Sequence, residues 1–258
     1  MKAISMRDLI PPLLFGLAVL VAWEFAVRHF AISPILLPAP SAIWARFIAS
    51  IPLLAIDFWE TIIKAMLPGW AIGSAAGLCV ALVCDRLPFL RRGLLPMGNL
   101  FSVLPLVGVA PIMVMWFGPG VRPKIAVVVI MTFFPMLVNA VAGLASSNHL
   151  ERDLMRSYGA TWWQDLMKLR LPAAMPFIFN ALKINSTLAL IGAIVAEFFG
   201  TLVVGMGFRI QTGSGSQSLD LVWAEIAVAA VAGSSFYGLL VLLERKVTFW
   251  HPSTRAKT

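Results

Sequence analysis

Charge is scarce in this chain. Only 12% of its 258 residues are Asp, Glu, Lys or Arg, against 60% hydrophobic residues and a mean hydropathy of +0.88. Soluble domains carry about 25% charged residues, so a soluble protein is excluded and the chain reads as an integral membrane protein. Cysteine is nearly absent. Cys79 and Cys84 are five apart in one apolar run, so they point to different helix faces and form neither a disulfide nor a metal pair. His29, His149 and His251 have no metal-ligand spacing. A GxxxxGK[ST] phosphate loop is missing, which excludes an ATPase of that type in this chain. No polar interval is long enough to fold by itself, so residues 1–258 are expected to form a single transmembrane domain. The net charge of +8 fits the basic bias of inward-facing loops better than a nucleic-acid footprint.

What is present is a series of apolar runs. Six spans are expected, at about 9–27, 62–83, 94–117, 125–144, 176–199 and 221–243, each near the ~20 residues that a bilayer requires. The first is not a cleavable signal, since no small-residue cleavage site follows it. Glu24 near its end is expected in the interface or paired with Arg28. Leu37-Pro38-Ala39-Pro40-Ser41 is rigid, and Ser41 is placed to cap a short helix with Trp44 and Phe47 on its apolar side. Gly69, Gly73 and Gly77 give the second span a smooth face for close helix packing. Pro96, Pro105 and Pro111 interrupt the third, which membranes tolerate where neighbours or a water-filled cavity satisfy the freed carbonyls. That makes the third span a pathway candidate. Gly118-Pro119-Gly120 turns the chain. The glycines of Gly205-Met206-Gly207 and Gly213-Ser214-Gly215 open no βαβ unit and read as turns.

The longest polar interval, 147–175, is dense in helix punctuation. Asn148 with Glu151 and Thr161 with Gln164 have capping-box spacing. Gly159 is a helix stop, and Leu171-Pro172 is expected to end the second helix. Leu154, Tyr158, Trp162 and Leu166 recur every fourth residue, giving the helices an apolar side. The interval reads as a two-helix knob outside the bilayer, either a docking element or a pair of helices lying on lipid headgroups. With the N-terminus inside, the inner segments hold Lys2, Arg7, Arg86, Arg91, Arg92, Arg152, Arg156, Lys168, Arg170, Arg245, Lys246, Arg255 and Lys257. The outer segments hold Arg28, Arg46, Arg122, Lys124 and Arg209. The bias puts the knob and both termini in the cytoplasm. Short outer loops leave little surface for selecting a solute.

A loop of this form before the fifth of six spans resembles the permeases of ABC importers. Their signature is Glu-Ala-Ala, three residues, Gly, nine residues, Ile, one residue and Leu-Pro. Here it aligns with Asp153-Leu154-Met155, Gly159 and Leu169-Arg170-Leu171-Pro172. Gly and Leu-Pro keep the spacing, while Asp-Leu-Met retains only the acid of Glu-Ala-Ala. Leu37–Ser41, Pro105 to Gly118, Phe133-Phe134-Pro135 with Asn139 and Gly143, Gly159–Trp162 and Ala196-Glu197-Phe198 are similar to the nitrate, sulfonate, taurine and bicarbonate branch. Permeases for thiamine-pyrimidine precursors and riboflavin are similar in the same places.

The resemblance implies a type I importer permease fold with a cytoplasmic coupling helix between the fourth and fifth spans. Asp153, Leu154, Met155, Gly159, Ala160, Leu169, Leu171 and Pro172 would couple it to a cytosolic ATPase that binds ATP and magnesium; no cofactor is expected in this chain. A solute-binding protein outside, a second permease copy and lipid would be the other partners, and no nucleic acid is expected. The setting would be the bacterial cytoplasmic membrane. By depth and polarity, Asn99, Ser102, Thr132, Asn139, Asn185 and Thr187 are placed on the path. Glu197 is a functional candidate by default or a structural partner of Arg209 or Arg122. The rivals are an ATP-independent channel or secondary transporter, a membrane enzyme and a scaffold. Central spans almost without charge argue against proton coupling, and the three histidines do not converge as an enzyme would need.

Overall fold

Helices account for the architecture because hydrocarbon offers the backbone no hydrogen-bond partner. The computed structural model describes residues 6–101, 106–200 and 204–249, without the side chains of 6–9, 88, 99–101 and 106–107. Helix α1 is Met6–His29 and α2 is Pro40–Ala49. Helix α3 is Ile51–Arg86, and α4 (Pro88–Phe101) and α5 (Leu106–Phe117) follow. Helix α6 is Val121–Ala145 and α7 is His149–Ser157. Helix α8 is Trp162–Glu197, α9 is Met206–Gly215 and α10 is Leu219–Val247. Among the described residues, α1, α3, α6, α8 and α10 are long and apolar enough to cross a membrane. The third expected span takes in parts of α4 and α5, and residues 102–105 between them lie outside the described residues. Pro105 and Ser102 lie outside the described residues.

Helix α6 is central and packs along both α3 and α8. The glycine face of α3 permits this approach. A Cβ on Gly69 would sit 2.5 Å from Val128 Cβ, and one on Gly77 would sit 2.5 Å from Phe133 O; one on Gly73 would collide with Thr132 Oγ1. On the other side of α6, a Cβ on Gly143 would meet Ala174 Cα at 3.1 Å. Ala81, Met136, Leu137, Ala140, Leu144, Leu166, Ala174 and Ala181 fill the core between the three helices at one end. Trp70 reaches across to donate to Leu182 O at 3.2 Å. Helix α10 packs on α8, α9 and α2, while α1 stays at the periphery.

Two helices run further than their apolar stretches suggested. At 36 residues each, α3 and α8 are about 54 Å long at ~1.5 Å per residue, well beyond a ~30 Å hydrocarbon core. The expected stop at Leu171-Pro172 is therefore corrected. Residues Leu166–Arg170 widen into π-helical turns, Leu171 N bonds to Leu166 O, and Pro172 opens the next α-helical stretch without a break. The same device, Trp59–Met66 with Leu67 N on Ile62 O, precedes Pro68. An extra residue per turn removes the clash between the proline ring and the preceding turn and uses a proline's missing amide at no cost.

Ser41 is also corrected. Ala39 is the N-cap of α2, and the amide of Ser41 donates to Glu24 Oε2 at 3.0 Å while its Oγ donates to Oε1 at 2.8 Å. Glu24 additionally pairs with Arg28 at 2.6 Å, so it fastens α1 to α2. Trp44 and Phe47 stack with centroids 5.5 Å apart.

The α3–α6 approach gives a direct test. Gly77→Ala is expected to lower the melting temperature in detergent, corresponding to about 1–3 kcal/mol for overpacking against backbone. Gly16→Ala, at a position with nothing within 4 Å, is expected to leave it unchanged.

Candidate functional site

The knob is built from local signals. Asn148 Oδ1 accepts from Leu150 N at 3.1 Å and caps α7, while Glu151 stays exposed instead of completing a box. Helix α7 ends in a reversal in which Gly159 N donates to Arg156 O at 2.9 Å and Ala160 N to Met155 O at 3.0 Å. Gly159 has φ of +71°, a left-handed conformation that carries a steric penalty for residues with a Cβ. The box at Thr161 closes fully: Thr161 N donates to Gln164 Oε1 at 2.8 Å and Gln164 N to Thr161 Oγ1 at 3.4 Å.

A buried polar knot holds the knob to the bundle. Arg170 forks onto Asp85, with Nη1 2.7 Å from Oδ2 and Nη2 on Oδ1. Its Nε and Nη2 also donate to Leu144 O, both at 3.3 Å. Arg152 donates to the same carbonyl at 2.7 Å and to Ser147 Oγ at 2.6 Å. The end of α3, the end of α6, helix α7 and the π turns of α8 therefore meet at one carbonyl and one carboxylate. Burial, followed by the neighbouring Arg170 cation, holds the Arg152 guanidinium below its usual pKa. The guanidinium of Arg86 lies 5.3 Å from the centre of the Trp162 ring.

The row of four is divided by this anchoring. Leu166 is buried in the core and Trp162 packs beside it, whereas Leu154 and Tyr158 face outward. Leu150, Trp163 and Met167 are exposed as well, so an apolar surface covers the outer side of a rigid element. Among the matched residues, Asp153, Leu154 and Gly159 are exposed, and Met155, Ala160, Leu169, Leu171 and Pro172 are half-buried.

The polar residues expected on a path separate into two groups. Thr132 and Asn185 are fully buried in this chain. Asn185 Nδ2 donates to Ser74 Oγ at 2.9 Å and to Thr132 O at 2.7 Å, and Thr132 Oγ1 donates to Val128 O at 2.8 Å. In an apolar bundle such groups turn towards backbone carbonyls, on a neighbouring helix for Asn185 and on its own helix for Thr132. Asn139 is half-buried and donates to Pro135 O at 2.8 Å, and Thr187 is exposed on α8. Asn180, two helical turns before Thr187, is exposed next to Asn139 at 3.5 Å. Sequence reading missed it, although its sevenfold offset from Thr187 was available. Asn99 lies on α4 with its side chain outside the description, and Ser102 is outside it altogether.

The opposite end of the bundle holds a second buried network. Glu197 is completely buried and accepts from Lys124 Nζ at 2.8 Å, from Thr61 Oγ1 at 2.9 Å and from Gly207 N at 2.7 Å. Its partner is Lys124, correcting the expectation of Arg209 or Arg122. Arg209 instead donates to Asp57 Oδ2 at 2.8 Å, and Gly205 N donates to Oδ1 at 2.6 Å. With Met206 N on Thr61 Oγ1 at 2.9 Å, three amides at the start of α9 are held by α3 and α8. The turn glycines marked this place in the sequence; Asp57 and Thr61 were missed, and Lys124 was read only as a base of an outer segment. Lys183 and Glu244 pair at 2.7 Å between α8 and α10, so the helices carry more charge than the apolar runs suggested.

Together these features define a polytopic helical membrane protein. Comparison with known proteins agrees. Residues 73–249 match the family described as binding-protein-dependent transport system inner membrane component. The formylaminopyrimidine transport permease protein of Halalkalibacterium halodurans is 32% identical, covering 93% of this chain and 95% of that protein. The riboflavin transport system permease of Chloroflexus aurantiacus is 28% identical over 91% of this chain and 87% of its own length. The taurine transport system permease of Escherichia coli is 29% identical over 90% and 86%. An inward-facing structure of the MetNI methionine ABC transporter shares the fold, with a TM-score of 0.64 and 18% identity over 78% of this chain and 98% of that one. The chain belongs to the binding-protein-dependent transport system inner membrane component family and is an ABC importer permease subunit.

The anchoring knot yields a prediction. Arg170→Ala leaves the buried Asp85 without its cation, and is expected to destabilise the fold by about 3 kcal/mol. Faster proteolysis within 147–165 and a lower melting temperature in detergent would register it.

Proposed function

We propose that the knob docks on a cytosolic ATPase and that this permease moves a small solute by alternating access. The observation that supports it most is an apolar surface at Leu150, Leu154, Tyr158 and Trp163, borne on an element tied to three bundle helices through Arg170, Asp85 and Leu144 O. A rigid attachment lets ATPase closure displace helices rather than bend a loop, and ATP supplies the differential affinity that switching requires. ATP and magnesium would be held by the ATPase. Asp153, Leu154 and Gly159 would contact that subunit, while Met155, Ala160, Leu169, Leu171 and Pro172 would set the knob's shape.

The knob and both termini would lie in the cytoplasm of a bacterial cell, and the α9 end would face a solute-binding protein. A second copy would complete the path, with Asn139, Asn180 and Thr187 facing it. The polar stripe on α8 favours this, because hydrocarbon leaves an exposed Asn unsatisfied. The named relatives carry formylaminopyrimidine, riboflavin and taurine, so the solute would be a small anion, such as a sulfonate, nitrate or bicarbonate, or a small heterocyclic vitamin precursor.

Co-purification in mild detergent from the native host is expected to bring down an ATPase stoichiometrically, and scrambling 153–172 is expected to lose it. A protein purified without any ATPase would favour an ATP-independent channel or secondary transporter instead. Gly159→Val, at a left-handed turn with open space around it, is expected to insert normally and lose ATP-driven uptake. Normal uptake would remove Gly159 from coupling. A cysteine introduced by His149→Cys is expected to resist an impermeant thiol reagent applied outside intact cells.

A further inference from the structure

The network beneath α9 contains one group that its ion pairs leave unused. Glu225, on α10, is completely buried, and among the described residues no amide, hydroxyl or cationic donor reaches either carboxyl oxygen. The Asp57 carboxyl of α3 is the neighbour that acts on it most strongly, ahead of Arg209 of α9 and Glu197 of α8. Lys124 of α6 is already committed to Glu197.

Two arguments converge on the state of this group. One is charge: Asp57 and Glu197 match Arg209 and Lys124, so an ionised Glu225 would be an uncompensated buried anion, which costs several kcal/mol, on the order of a broken buried pair. The other is hydrogen bonding. Asp57 accepts from Gly205 N and Arg209 Nε, and Glu197 accepts from Lys124, Thr61 and Gly207 N. Both therefore already accept through both oxygens. Among the described residues Glu225 has no donor to accept from and it faces an acceptor, an arrangement satisfied only if it carries a hydrogen.

We propose that Asp57 and Glu225 form a one-proton binding site, in which the Glu225 carboxylic acid donates to the Asp57 carboxylate and so holds α9 on the bundle. The site is independent of the transport reading and of the solute. Loss of the proton sets two carboxylates against each other and weakens Asp57's hold on Gly205 and Arg209, freeing the start of α9.

Infrared spectra of the full chain in detergent at neutral pH test the site. One carboxylic-acid C=O band is expected to shift when the glutamate side-chain carboxyls are isotope-labelled, and to vanish in Glu225→Gln. The same variant is expected to keep the wild-type melting temperature, because its amide N–H replaces the acid's donor. If the wild type has no such band, Glu225 is ionised or holds another cation, and the proposal falls. It falls equally if the band survives Glu225→Gln. On raising the pH, loss of the band is expected to coincide with faster deuterium exchange at the amides of Gly205, Met206 and Gly207. Exchange that stays slow after the band has gone would overturn the latch.

Discussion

Every polar group inside this bundle has to find its partner within the bundle. Hydrocarbon cannot hydrogen-bond, so a mismatch that water would absorb in a soluble protein must here be settled by another helix. Prolines show the consequence for the backbone. Pro68 and Pro172 each follow a π-helical stretch, so a residue that would end a helix in water is absorbed into a 36-residue one. Side chains obey the same rule. Asn185 bonds to Ser74 and to a carbonyl of α6, and Glu197 collects Lys124, Thr61 and a backbone amide.

Two polar knots result, one at each end, and three helices share both. Helix α3 carries Asp85 in the knob-end knot and Asp57 and Thr61 in the other. Helix α6 carries the Leu144 carbonyl and Lys124, and α8 carries Arg170 and Glu197. Between the knots, the glycines of α3 and Gly143 of α6 bring the backbones close enough for the helices to interlock. A displacement applied at the knob therefore acts on stiff helices whose far ends hold α9. Ions that are fully paired and hydrogen-bonded suit this role, because removing one partner leaves a buried charge and the knot resists partial opening.

The surface of the knob follows from the same economy of partners. Leu166 and Trp162 are drawn inward by the core around Ala81, Cys84 and Ala174. Leu154 and Tyr158, one to three turns earlier in the same fourfold row, remain outside because α7 touches the bundle chiefly through Arg152. The result is an apolar face on a polar foundation, the arrangement expected of a surface that meets another protein.

Membrane class, the glycine-faced second span and two of the knob's signals, the turn at Gly159 and the box at Thr161, were legible in the sequence, because hydropathy, capping and left-handed turns are local properties. The capping box at Thr161 and the turn at Gly159 needed only a few neighbouring residues. Tertiary structure decided the rest. Whether Pro172 stopped a helix depended on packing that favoured continuing it. The burial of Thr132 and Asn185 was not legible either, because an isolated span shows polarity but not direction. The partner of Glu197 and the burial of Asp57 and Glu225 could not be read locally, since Asp57 meets Gly205 across 148 residues of sequence. Such contacts exist only once the helices have assembled and each buried charge has found a partner from another part of the chain.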